Sequence, residues 1–209
     1  MPPSPASAPS ADTSLTSIPI LLGSHRPNSN GAGLAQWLQH LFLSLPASCT
    51  LTLTVPPAST VPSRPVDHAL IPQAITSLAQ YPSAAIRAFS ALIASAPAVV
   101  ILTPQYNWGY PGGLKNALDH LYHEWRGKRV SIVSYGGHGG GKAAEQLEQV
   151  LAGGLKAEVV AKVGIKLPSE FIREDLRVRR NGEGEWPAFL DGEVEEEVRK
   201  ALEKLVEGL

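Results

Sequence analysis

A single cysteine, Cys49, among 209 residues leaves no internal disulfide and no paired-cysteine metal motif, and it suits a reducing compartment. Charge of one sign is equally scarce. The 18 basic and 19 acidic side chains give a formal net charge of −1, so there is no uniform basic field to hold a nucleic-acid backbone. Any anion site must be local. Apolar runs are strand-sized or broken by proline, well short of the ~20 residues needed to span a bilayer, and no membrane helix is expected. At 44% hydrophobic, the chain has apolar mass for one domain and is neither a disordered polyampholyte nor collagen-like.

Charge is nearly missing from the first half. Residues 1–110 hold only Asp12, Arg26, Arg64, Asp67 and Arg87, which leaves 15 basic and 17 acidic side chains to the remainder. Residues 1–17, rich in Pro, Ser and Ala, lack apolar mass and any structural period, and read as a disordered tail ahead of a domain over 18–209. That opening has no basic segment followed by an apolar core and no Arg-rich amphipathic pattern. Neither a secretory signal nor a mitochondrial presequence is supported, and a cytoplasmic location is expected.

From Ile18 onward, short Leu-rich or β-branched runs alternate with helical patterns, the signature of a parallel sheet covered on both faces. Strands are predicted at 18–22, 50–55, 98–103, 129–135 and 157–165. Helices are predicted at 33–45, 83–94, 113–125, 142–155 and 194–209, where apolar residues recur at spacings of three and four. Residues 56–72 form a Pro-rich loop. The Arg- and Glu-bearing stretch around 173–180 reads as a mobile insertion with solvated charge.

Open parallel sheets bind ligands beyond the carboxyl ends of their strands, so the loops after the first, third and fourth strands matter most. The first, GSHRPNSNGAG (23–33), leads into a helix and carries Ser24, Ser29 and the guanidinium of Arg26. These groups, with the free amides of the helix start, suit a phosphate monoester. Alternatively Ser29 or Asn30 only caps the helix and Arg26 sits in solvent. The second loop, TPQYNWGYPGG (103–113), sets Gln105 and Asn107 beside Tyr106 and Trp108 between Pro104 and Pro111. Amides beside aromatics can recognise a flat heterocycle, although Trp108 and Tyr110 can equally be buried at a subunit contact. The third, GGHGGGK (136–142), has the spacing GxxxxGK, but Ala143 stands where a nucleotide-triphosphatase needs Ser or Thr for magnesium. Its glycines fit close approach of main chain to a ligand edged by Ser134 and Tyr135.

Other constellations are weaker. His120 and His123 lie three apart on a predicted helix, yet no further metal ligand is identifiable, and a structural place on the helix flank is expected. The serines lack a GxSxG elbow, which argues against serine hydrolysis.

Taken in order, GSHRPNS (23–29), TPQYNWGYPGGLKNALD (103–119) and VSYGGHGGGKAAEQL (133–147) resemble the three signature segments of the NADPH-dependent FMN reductase family, the flavodoxin-like quinone and azo reductases. The wording is similar to a fungal branch. The resemblance implies a five-stranded sheet of order 2-1-3-4-5 in a three-layer α/β sandwich. It implies that Ser24, Arg26 and Ser29 hold the FMN phosphate, and that Pro104, Gln105, Tyr106, Asn107, Trp108, Ser134, Tyr135, Gly136 and Gly137 frame the isoalloxazine. The implied activity is hydride transfer from NAD(P)H through FMN to quinones, azo compounds or similar small acceptors, in a homodimer and without a catalytic side chain. A flavin-loaded redox sensor acting through a protein partner shares the same motifs. Gln105 stands where the commonest family motif has Glu, and Gly31 where it often has Asn.

Overall fold

Each of the five apolar runs is a strand in the computed structural model, which describes residues 15–209 apart from 25, 27 and 68. The strands are β1 (Thr16–Leu22), β2 (Leu51–Thr54), β3 (Ala98–Pro104), β4 (Arg129–Gly136) and β5 (Glu158–Lys166). All neighbours pair in parallel in the order β2-β1-β3-β4-β5, the expected flavodoxin-like arrangement. The first strand begins two residues before the predicted boundary, because Thr16 and Ser17 already pair with Leu51 and Thr52. The rest of the tail reading, over 1–14, lies outside the described residues.

The helices are α1 (Asn30–Phe42), α2 (Ala84–Ser95), α3 (Gly112–Asp119), α4 (Gly141–Glu148), the one-turn α5 (Glu170–Arg173) and α6 (Glu193–Val206). On one sheet face, Leu34, Trp37, Leu38 and Phe42 of α1 and Val198, Leu202 and Leu205 of α6 pack over Ile18, Ile20, Val100 and Val133. On the other, Ile86, Phe89 and Ile93 of α2, Leu114 and Leu118 of α3, and Leu147 of α4 cover Leu21, Val99, Ile101 and Ile132. The central β3 is buried at all seven positions, as a parallel strand covered on both sides must be. Among the described residues no helix is long and apolar enough to cross a membrane.

Two predicted helices stop well short of their expected ends. The segment 113–125 is helical only to Asp119 and resumes as a 3₁₀ turn at His123–Trp125. Leu121 and Trp125, on either side of the break, are both buried in the core. His120 is buried rather than on a flank. Its Nε2 lies 3.0 Å from the Arg64 carbonyl, and His123 Nε2 lies 2.9 Å from that of Gln73. Together with Asn116, whose amide donates to the Pro62 carbonyl at 3.1 Å, they fasten the Pro-rich loop to the body. The predicted helix over 142–155 leaves α geometry at Gln149 and closes as a π turn through Gly154.

A polar cluster sits beneath α2. The Tyr81 and Ser90 hydroxyls both donate to Glu124 Oε1, at 2.6 and 2.5 Å. Burial first, and Glu124 second, push the Tyr81 phenol well above its ordinary range. Burial also raises Tyr135 strongly, and Tyr110 to about 12.

Two predictions arise from this packing. Phe89 is fully buried, so Phe89→Ala should lower stability by about 3–5 kcal/mol in urea unfolding, and a loss under ~1 kcal/mol would mean that α2 does not seal that face. The second concerns alkaline pH. An unfolded tyrosine ionises near pH ~10, so above that pH the unfolded chain releases protons that the folded chain retains, and stability falls as the pH rises from about 10 towards 12. Urea midpoints measured across that window should fall less steeply in Tyr135→Phe than in the wild type. Equal slopes would exclude a raised Tyr135.

Candidate functional site

The registers bring three strand ends to one edge. Leu22 is level with Leu102, and the Gly23 amide extends the ladder to the Leu102 carbonyl at 2.8 Å. Pro104 is level with Tyr135, and the Gln105 amide reaches the Tyr135 carbonyl at 3.1 Å. From that edge the chain after β1 enters α1 on one face, whereas the chain after β3 enters α3 on the opposite face. The two loops diverge and open a crevice at the switch point.

In the first loop, Ser24 is buried and its hydroxyl lies 2.8 Å from that of Tyr106, which ties the loop after β1 to the loop after β3. The guanidinium of Arg26 sits 5.9 Å from the Tyr106 ring centre, within cation–π range. Asn28 turns the chain with a φ of 54°, a left-handed geometry that Asn tolerates. Ser29 occupies the N-cap position of α1, yet its hydroxyl makes no capping bond. It is half-buried and lines the crevice beside Asn30. The capping-only alternative therefore lacks its hydrogen bond.

The second loop is a tight hairpin. Tyr106 and Gly109 exchange backbone hydrogen bonds at 2.8 and 2.9 Å around Asn107 and Trp108, whose φ values are 45° and 74°. Positive φ at both central residues matches a type I′ turn and is strained for a tryptophan. The turn projects the Trp108 side chain outward, 68% exposed. Gln105 Oε1 accepts from the Lys142 amide at 3.1 Å, so the side chain that replaces the family's Glu docks on the first turn of α4.

In the third loop, Gly139 and Gly140 have φ of 75° and 78°, and a Cβ on Gly140 would sit 2.9 Å from the Tyr135 amide. Only glycine fits that turn. The Ser134 hydroxyl is consumed within it, donating to the Gly139 carbonyl at 2.8 Å. The Lys142 ammonium pairs with Glu145 at 3.1 Å on the exposed face of α4. Tyr135 reaches across to α1. Its phenol oxygen lies so close to the start of α1 that a Cβ at Gly31 would be 2.8 Å from it. Glycine rather than the family's Asn at this position accommodates the tyrosine.

The three loops enclose a pocket of about 200 Å³. Of the predicted residues, Arg26, Ser29, Pro104, Gln105, Tyr106, Tyr135, Gly136 and Gly137 line it. Ser24 lies behind Tyr106, Ser134 lies inside its own turn, and Asn107 and Trp108 lie outside the lining. Sequence reasoning missed Asn28, Asn30, Leu167, Phe171, Ile172 and Arg177. The last four belong to the stretch after β5, of which the part around Arg177 reads from sequence as a mobile insertion. Instead it is tied down, because Asn30 Nδ2 donates to the Phe171 carbonyl at 2.7 Å and Asn30 Oδ1 accepts from the Val178 amide at 2.9 Å. An Asn just inside a helix start was the available signal, and it also reads as a cap. The lining holds two guanidiniums and no carboxylate, so it is built for an anion. Among the described residues no group of three or more His, Cys, Asp or Glu side chains is placed to hold a metal.

The family model described as NADPH-dependent FMN reductase matches residues 16–169. An NAD(P)H-dependent FMN reductase of Saccharomyces cerevisiae is 50% identical over 102 residues, which span 49% of this chain and 53% of that protein. One from Schizosaccharomyces pombe is 56% identical over 87 residues, 41% of this chain and 43% of its own. The match thus spans only about half the length of these two relatives. One from Nectria sp. is 31% identical over 198 residues, 92% of this chain and 96% of its own. Among solved structures, the flavoenzyme NAD(P)H:(acceptor) oxidoreductase of Paracoccus denitrificans superposes with a TM-score of 0.62 at 19% identity, over 92% of this chain and 96% of that one. With the matched segment covering β1 to β5 and all three loops of the pocket, the chain belongs to the NADPH-dependent FMN reductase family.

Proposed function

We propose that this chain is an FMN-dependent NAD(P)H oxidoreductase that reduces small acceptors of the quinone or azo class. The observation that carries the reading is the crevice at the switch point, where two arginines and the first residues of α1 line a pocket without a carboxylate. A phosphate monoester matches that electrostatic field and the hydrogen-bond donors around it. When bound, FMN supplies the two-electron chemistry that links NAD(P)H to an acceptor.

The chain's own residues bind and orient. Arg26 and Ser29 would hold the phosphate, with Ser24 fixing the loop through Tyr106. Pro104, Gln105 and Tyr106 on one side, and Tyr135, Gly136 and Gly137 on another, form the walls nearest the ring. The pocket of about 200 Å³ is below the ~300 Å³ at which whole-ligand pockets begin, so part of the ring would extend past these walls to the open mouth, where two substrates can take turns. No side chain is assigned to acid–base work. Asn107 and Trp108 we assign to a homodimer contact, which would cover an exposed tryptophan held on a strained turn.

Two measurements test this. Purified protein, or apoprotein given FMN, should absorb as an oxidised flavoprotein and be bleached by NADPH or NADH under argon, and Arg26→Ala should weaken FMN at least about tenfold, as loss of a charge-assisted hydrogen bond does. A protein that takes up no FMN would sink the proposal. Light scattering should return a dimer, and Trp108→Ala should shift it towards monomer. A wild-type monomer would remove the interface.

A further inference from the structure

The stretch after β5 is a wall of the pocket, and it is built to carry one more cation to it. Leu167 begins the wall, its amide bonded to the Gly136 carbonyl at 2.9 Å. The wall then crosses the start of α1, where both ends of the Asn30 amide hold it, at Phe171 and at Val178. Val178 is buried, and its carbonyl lies so close to the helix that a Cβ on Gly33 would be 1.6 Å away. Backbone atoms on both sides make that approach intolerant of any side chain at 33. The residue before Val178 is therefore held in place, and that residue is Arg177.

The Arg177 guanidinium is itself fixed by main-chain carbonyls. Its Nε donates to Asn28 at 2.6 Å, in the loop that carries Arg26 and Ser29, and its Nη1 donates to Glu174 at 2.7 Å. Its Nη2 makes no hydrogen bond to the described residues, and neither Arg26 nor Arg177 forms an ion pair with a carboxylate among them. Both line the pocket. Two unpaired like charges around one small cavity repel each other unless an anion lies between them, and a dianion balances both. A guanidinium already anchored through Nε and Nη1 loses little further side-chain entropy when an anion binds beside it. The neighbouring arginine Arg180 differs. It bonds His40 Nδ1 at 2.8 Å and stacks 5.2 Å from the Trp186 ring centre, away from the pocket.

We propose that Arg177 is a second phosphate-binding guanidinium, which makes the pocket select the phosphorylated flavin over riboflavin. The inference rests on the FMN reading above and goes beyond it by assigning a residue outside the three family loops. The test titrates apoprotein with FMN and with riboflavin, following quenching of flavin fluorescence. Wild-type protein should prefer FMN. Arg177→Gln should weaken FMN about ten- to a hundredfold and leave riboflavin affinity unchanged. Arg177→Lys, which retains the charge but not the planar fork, should recover part of the preference.

Equal weakening for both flavins would make Arg177 only a clamp on the wall and overturn the proposal. Unchanged FMN affinity together with a raised KM for NADPH but not for NADH would transfer the residue to the nicotinamide dinucleotide and also overturn it. Wild-type protein that binds neither flavin would remove the FMN reading itself. A wild type that binds FMN but loses its preference only through Arg26→Ala would leave that reading standing and remove Arg177 alone.

Discussion

Everything at the site depends on the parallel pairing of β1 with β3. Three rungs, Ile20 with Val100, Leu21 with Ile101 and Leu22 with Leu102, fix where the chain leaves each strand. Because side chains alternate along a strand, a slip of one residue would exchange the two core faces. It would also part Ser24 from Tyr106, whose hydroxyls meet only because both strands stop at the same height. The hydrophobic layers thus set the position of a polar contact that is itself too weak to organise the sheet. The loops inherit precision from burial that lies a full turn below them.

Within that frame the chain spends conformational strain in a small region. Asn28, Asn107 and Trp108 account for three of the four non-glycine residues with positive φ among those described, and all three sit on the two loops that flank the crevice. Such geometry persists where surrounding structure over-determines it. Here the determinants are the backbone bonds between Tyr106 and Gly109, and the Arg177 bond to Asn28.

The layers were legible in the sequence, because the five apolar runs are short, β-branched and separated by amphipathic stretches, whereas the strand order came from the likeness of the three loop segments to the family. Eight pocket-lining residues were legible as loop motifs. The remainder was hidden for identifiable reasons. Trp108 reads as a stacking partner by residue type, but its direction is set by a two-residue turn that only backbone geometry reveals. Ser134 reads as a pocket edge, yet the turn beside it absorbs its hydroxyl. The wall from Leu167 to Val178 has little apolar periodicity of its own. What holds it is one amide side chain and one missing Cβ, both about 140 residues away in sequence, at a distance that local pattern cannot span. The early end of α3 left no signal in the apolar spacing, since Leu121 and Trp125 stand four apart, as they would on an unbroken helix.

The contact between Gly31 and Tyr135 joins the first family segment to the third through a single oxygen atom. A larger residue at 31 meets the phenol oxygen, and a smaller one at 135 leaves a void beside the helix start. Residue size at 31 and side-chain length at 135 are thus coupled through one point of contact, so the first and third segments of the pocket share a single steric constraint.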